Sequence, residues 1–221
     1  MDDIIDLIMQ RLLLLPGILL GLSFHEFGHA FVSARLGDPT PKVQGRVTLN
    51  PAAHVDAVGF IALLLLGFGW GKPVQIDPRY YKHRRSGEIL VGFAGVIMNL
   101  LLALAGAALM RVCYMCVLSN IDSSSMISVG NVILQLLSGI VQINLVLMFF
   151  NLIPLPPLDG FGIITQLFRL NTRSWYQKFY QLGPMILLLL IIFNGTQYII
   201  SPEVSWLYQK IMTLFMGSIS L

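Results

Sequence analysis

"SFHEFGHAFV", residues 23–32, sets two histidines and a glutamate inside one of the most apolar runs of the chain. How that run is read decides the fold. In a soluble core helix, such a trio is an ordinary hydrogen-bonded patch. In a bilayer span it is expensive, and intramembrane ionisable residues are usually functional. Composition favours the bilayer. The chain has 221 residues, 56% hydrophobic and 11% charged, against about 25% charged for a soluble domain. Its mean hydropathy is +0.76. Several segments approach the roughly 20 apolar residues a crossing needs. The expectation is an all-α multi-pass membrane protein with about five transmembrane helices, a small membrane-associated β element and a re-entrant segment. The net charge of +3 is small and the basic residues cluster in short loops. That suits orientation in a lipid bilayer by the positive-inside rule and argues against nucleic acid as a partner.

Outward from the motif, the first apolar segment runs from about Leu7 to Leu36. The N-terminus, "MDDIIDLIMQR", is acidic where a signal peptide is basic, so no removable leader is expected. Gly17 and Gly21 form a G-x-x-x-G pair, which can let helices approach closely or be chance in a Gly-rich span. "GDPTPK" ends the helix, because neither proline can continue it. "KVQGRVTLNP" reads as a short strand at 43–49 with Val43, Val47 and Leu49 as its apolar positions. Residues 55–70 would make a helix of about 24 Å, marginal for crossing. Basic residues flank them on both sides: Arg35, Lys42 and Arg46 before, Lys72, Arg79, Lys82, Arg84 and Arg85 after. A crossing would split two basic loops between opposite faces, so the segment reads as re-entrant.

Spans follow at about 88–114 and 130–151, joined by a loop without Lys or Arg that suits the outer face. A last span at about 182–200 is interrupted by "NGT". In the tail, Leu207, Ile211, Leu214 and Phe215 fall on one helical face, with Trp206 and Tyr208 suited to an interface. Cys113 and Cys116 form a C-x-x-C pair with no second pair, and read as small hydrophobes.

Residues four apart on a helix share a face, so His25 and His29 can bind one metal ion, with Glu26 beside it as a non-ligating base. The alternative is a packed polar cluster, which membrane burial penalises group by group. Catalytic zinc normally has three protein ligands and one open position. Asp159 is the candidate third, in a segment that prolines break open, the kind of place where membrane proteins build ion sites. It could instead cap the helix that follows. His54 and Asp56 could orient a ligand histidine or cap a helix. A catalytically silent zinc protein and an ion transporter are the competing functions. Glu26 argues against the first, and the lack of inverted halves against the second.

"HEFGH" in a membrane helix, with "NLIPLPPLDG" downstream, resembles the site-2 protease family of intramembrane zinc metalloproteases. Residues 151–160 fit its N-x-x-P-x-P-x-L-D-G motif at every defined position. Gly95–Asn99, "GVIMN", fits G-x-x-x-N, with Val96 where the family often has proline. "GRVTLNPAAHVDAVG" and "GWGKPVQIDPR" resemble loops of its short, minimal-core branch, without PDZ or CBS domains. The resemblance implies one Zn²⁺ held by His25, His29 and Asp159, with Glu26 as general base. It implies Asn151 as an oxyanion donor and Asn99 as a packing or supporting residue. It further implies a transmembrane protein or peptide substrate and a cell-membrane location with the site toward the cytoplasm. A single domain, 1–221, is expected, with a core at 7–165 and accessory helices at 176–219. An edge at 43–49 and the embedded segment would hold the substrate extended by β-addition.

Overall fold

The computed structural model describes residues 2–66, 69–118 and 124–217. Parts of the embedded segment (67–68), the expected outer loop (119–123) and the tail (218–221) lie outside the described residues.

The helices are α1 (Asp2–Arg35), α2 (Thr40–Val43), α3 (Ala57–Leu66), α4 (Arg84–Leu118), α5 (Ser124–Leu152), α6 (Asp159–Phe168), α7 (Tyr176–Ile192) and α8 (Gly195–Met216). α1, α4 and α5 pack against one another, and α8 closes the bundle against α4 and α5. Small residues set the spacing. A Cβ on Gly28 would stand 2.8 Å from the Ala94 carbonyl oxygen, and one on Gly17 would stand 3.1 Å from the Ile140 Cα. So α1 lies backbone-close to both neighbours, the contact that small residues allow between membrane helices. Ala103, Ala107, Met110, Val141, Leu145 and Met148 form the buried seam between α4 and α5.

Two helical stretches among the described residues are long and apolar enough to cross a membrane, 84–116 in α4 and 127–152 in α5. α7 and α8 make a third only if taken as one broken span, because they bend by 74°. The expected count of five is not confirmed among the described residues. The last expected span, 182–200, is interrupted at "NGT" as its sequence suggests: Asn194 adopts a left-handed φ of 56° between α7 and α8. The tail face is corrected in one position. Leu207, Ile211 and Phe215 pack on the core, whereas Leu214 is 75% exposed.

The strand expected at 43–49 is not formed. Proline at the start of α2 draws Val43 into a helical turn, and Gly45 then reverses the chain at φ 67°. Val43 ends 84% exposed, with no strand beside it. Among the described residues, the β structure is one isolated antiparallel bridge, Val55 to Gly71. That bridge matters for the embedded segment. With the Lys72 N–H donating to the His54 carbonyl at 2.7 Å, it ties the two ends of the segment together. The segment that carries α3, a helix about 15 Å long, therefore has its two ends side by side.

Candidate metal centre

α1 presents His25 and His29 one turn apart toward α4. The place where they meet α4 is Gly95. A Cβ there would lie 2.6 Å from His25 Cε1 and 2.6 Å from His29 Nε2. No other residue type leaves room for both rings. Asp159 arrives from the opposite side. α5 ends at Leu152, the chain turns through Ile153–Leu158 with a cis Pro156–Pro157 bond, and α6 begins at Asp159. Gly160 is forced by the tightness of this turn, since a Cβ there would collide with the Leu152 carbonyl oxygen. Leu158 is the N-cap and contributes no side-chain cap. The capping role considered for Asp159 is thus not the one it plays.

The three side chains converge. His25 Nε2 and His29 Nε2 are 3.0 Å apart, and Asp159 Oδ2 is 3.2 Å from each. The other nitrogen of each ring is committed. His25 Nδ1 is 2.7 Å from Asn99 Oδ1, and His29 Nδ1 is 2.8 Å from the Val91 carbonyl oxygen. Asn99 Nδ2 donates to the Gly21 carbonyl at 3.0 Å, which fixes its oxygen toward His25. Both partners can therefore only accept, so each neutral imidazole carries its proton on Nδ1. Each Nε2 then offers a lone pair. Asp159 Oδ2 is buried and receives no hydrogen bond. Three acceptor atoms facing one another repel unless a cation sits among them. Their separations also fit one. A tetrahedral zinc with ligands at about 2.0–2.1 Å has edges of about 3.3–3.4 Å. Outer partners that fix the tautomer of ligand histidines are the usual support of such sites.

The cavity over these atoms has a volume of about 380 Å³. His25, Glu26, His29, Val74, Asn151 and Asp159 all line it, with Tyr176 and Tyr180 of α7 on the far wall. Glu26 accepts a hydrogen bond from the Val74 N–H at 2.9 Å. Asn151 donates one N–H to the Leu147 carbonyl at 2.9 Å and keeps a second. The structure does not bring His54 or Asp56 to the ligands. His54 is fully buried and bonds the Thr48 carbonyl at 2.8 Å, while Asp56 caps α3 through the Gly59 N–H at 2.8 Å. Cys113 and Cys116 are not in a disulfide. Sequence reasoning missed Val74 and Asn144. Val74 acts through its backbone and left no signal. Asn144 had one, a lone amide in the apolar run "VQINLVLMFF".

Two imidazoles on one helix and a carboxylate from a proline-opened junction, among apolar helices, form a group of three ligand atoms that could hold a metal ion, with an open face. The profile of peptidase family M50 matches residues 13–193, and the chain belongs to that family of zinc-dependent membrane proteases. It is 36% identical over 199 residues to "Putative zinc metalloprotease YwhC" of Bacillus subtilis, covering 90% of this chain and 88% of that one. Rip2 of Mycolicibacterium smegmatis, described in the same words, is 28% identical over 82% of this chain and 67% of its own. Rip2 of Mycobacterium tuberculosis is 27% identical over 81% and 66%. No solved structure matches the chain.

Proposed function

We propose that this protein cleaves peptide bonds in or near transmembrane segments of membrane-protein substrates, with His25, His29 and Asp159 as zinc ligands and Glu26 as general base. The observation that carries the reading is the meeting of three bare acceptor atoms at 3.0–3.2 Å in a cavity that also holds a carboxylate. When bound, zinc polarises a carbonyl and brings the pKa of water toward about 7. Glu26 is free to take the proton of the attacking water, because it is not part of the converging set. It then returns that proton to the leaving amine. The second N–H of Asn151 is available to the carbonyl oxygen as negative charge develops there. The backbone of Pro73–Ile76 lies along the cavity and suits a substrate held extended beside it.

The site faces the cytoplasm. Arg85 donates to the carbonyls of Gln166 at 2.5 Å and Leu167 at 2.7 Å, so two of the basic loops share one face beside the cavity. That asymmetry supports this orientation.

The test is zinc content and cleavage of a model transmembrane peptide by the purified chain. One zinc per chain and chelator-sensitive cleavage are expected. Glu26→Gln should keep the zinc and lose cleavage. A wild-type chain that binds no zinc, or a Glu26→Gln chain that loses it as His25→Ala does, would refute these assignments.

A further inference from the structure

We infer that Asn144, on α5 and outside the histidine and proline motifs, is a positioning residue for the metal centre that acts on His25 through Asn99. The inference rests on the reading of His25 as a ligand. Asn144 and Asn99 are both fully buried between apolar helices. Asn144 Nδ2 donates to the Ile140 carbonyl at 2.8 Å, which turns its oxygen away from its own helix. That oxygen accepts from Asn99 Nδ2 at 2.9 Å. Asn99 Nδ2 spends its other hydrogen on the Gly21 carbonyl at 3.0 Å, and Asn99 Oδ1 meets His25 Nδ1 at 2.7 Å. The chain of bonds is continuous, from the α5 backbone through two amides to the ring.

Each bond in this chain has its direction fixed. The Ile140 carbonyl can only accept, so Asn144 must present nitrogen to it and oxygen to Asn99. With both hydrogens of Asn99 taken, its oxygen is left for His25. Hydrogen-bonded groups in a low-dielectric interior polarise one another. An amide that donates through both hydrogens is a stronger acceptor at its oxygen. It holds the His25 proton more firmly on Nδ1 and leaves Nε2 more basic. The helix packing accommodates this arrangement. A Cβ on Gly21 would stand 3.0 Å from Asn144 Oδ1 and 2.6 Å from the Leu147 side chain. The second glycine of G-x-x-x-G thus makes room for Asn144, and its carbonyl serves Asn99.

Asn144→Ser separates this role from helix packing. A serine hydroxyl reaches the carbonyl four residues back, so the α5 backbone keeps its partner while the bond to Asn99 is lost. Asn144→Asp in its neutral form keeps both a donor for Ile140 and an acceptor for Asn99. The readouts are zinc affinity by chelator competition on the full chain, and the side-chain ¹⁵N shifts of His25 in zinc-free protein. Asn144→Ser should bind zinc about 10–100-fold more weakly, the usual loss for an outer partner of a metal ligand. Its His25 should shift toward the Nε2–H tautomer, and Asn144→Asp should restore both. Wild-type zinc affinity and tautomer in Asn144→Ser, with zinc lost in His25→Ala, would overturn the inference and leave the ligand assignment standing. Equal loss in Asn144→Asp and Asn144→Ser, with no tautomer shift, would reduce Asn144 to packing. Zinc retained in His25→Ala would remove the ligand assignment itself.

Discussion

The two histidines and the glutamate of this candidate centre stand on one helix but are held by different kinds of structure. His25 and His29 are fixed from α4, by Asn99, the Val91 carbonyl and the missing side chain of Gly95. Every partner there belongs to a packed helix. Glu26 is fixed from outside the bundle, by the backbone N–H of Val74. Val74 lies in a segment between Gly71 and Asp77 that is held at both ends and, between them, by an exposed bond from the Gln44 side chain to Gln75 at 2.9 Å. At the start are the Val55–Gly71 bridge, the Lys72-to-His54 bond and Arg46, which donates to the Ala53 carbonyl. At the far end the Asp77 N–H donates to Asp38 Oδ2 at 2.8 Å. Segments with few buried contacts open more readily than packed helices. Metal binding and turnover should therefore respond to different mutations.

The largest effect is expected where both histidines are pressed. Gly95→Val places branched carbons where the imidazoles lie. Core overpacking costs about 1–3 kcal/mol, and the rings are the atoms that must give way. Zinc affinity should fall at least about 100-fold, beyond the range of a lost outer partner, and cleavage with it. Chelator competition alongside helicity by circular dichroism reads this. Normal zinc binding would mean that the ligands are not set by the α1–α4 contact.

Asn151→Ala comes next and should leave zinc in place. It removes a donor aimed at charge that exists only in the transition state. Single-turnover cleavage should slow by about 10²–10³-fold, the usual result for one such donor. Zinc loss would show instead that Asn151 shapes the ligand half through the turn that carries Asp159.

Much of the ligand half was legible in the sequence, and almost none of the base's support. His25 and His29 repeat at the helical interval, and proline and glycine mark the break that delivers Asp159, so each announces itself locally. The β element failed for a local reason too. The alternation at 43–49 was real, but Pro39 and Pro41 nucleate a helical turn before it. His54 looked like an outer partner because it stands at the start of the embedded segment, yet it serves the Thr48 carbonyl. Gly95, Asn144 and Val74 matter through contacts between segments about 50–120 residues apart. No periodicity encodes those contacts. G-x-x-x-N marked Gly95 and Asn99 without saying what they touch.

Val74→Pro probes the base directly. Proline deletes the N–H that Glu26 accepts, and Val74→Ala keeps it. A hydrogen bond to a charged group contributes about 1.5–3 kcal/mol, so its loss from an oriented base should slow cleavage by about 10–100-fold. Zinc affinity should not move in either variant, and Val74→Ala should cleave as wild type does. Equal slowing in both would shift the role from the backbone to the valine side chain.

The smallest effect on cleavage is expected at the far anchor of the same segment. Asp38 is buried, which pushes its carboxyl pKa up, but hydrogen bonds from Thr40, the Asp77 N–H and the Ser33 hydroxyl outweigh this and hold it below the usual carboxylate range. Ser33 in turn meets the Tyr81 hydroxyl at 2.8 Å, so one carboxylate ties the end of α1 to both ends of the stretch from Asp77 to Tyr81. A carboxylate with a depressed folded pKa adds stability above its unfolded pKa and loses it as pH falls through the folded value. The wild-type chain should therefore lose part of its thermal stability on titration below about pH 4. Asp38→Asn should be less stable at pH 7, converge with wild type in acid, and keep its zinc. Cleavage should fall only severalfold, because the Gly71 end still holds the segment. Melting curves from pH 7 to 3 in detergent read the difference. Parallel curves across that range would remove Asp38 as the anchor and leave the bridge at Val55 and Gly71 as the support of Glu26.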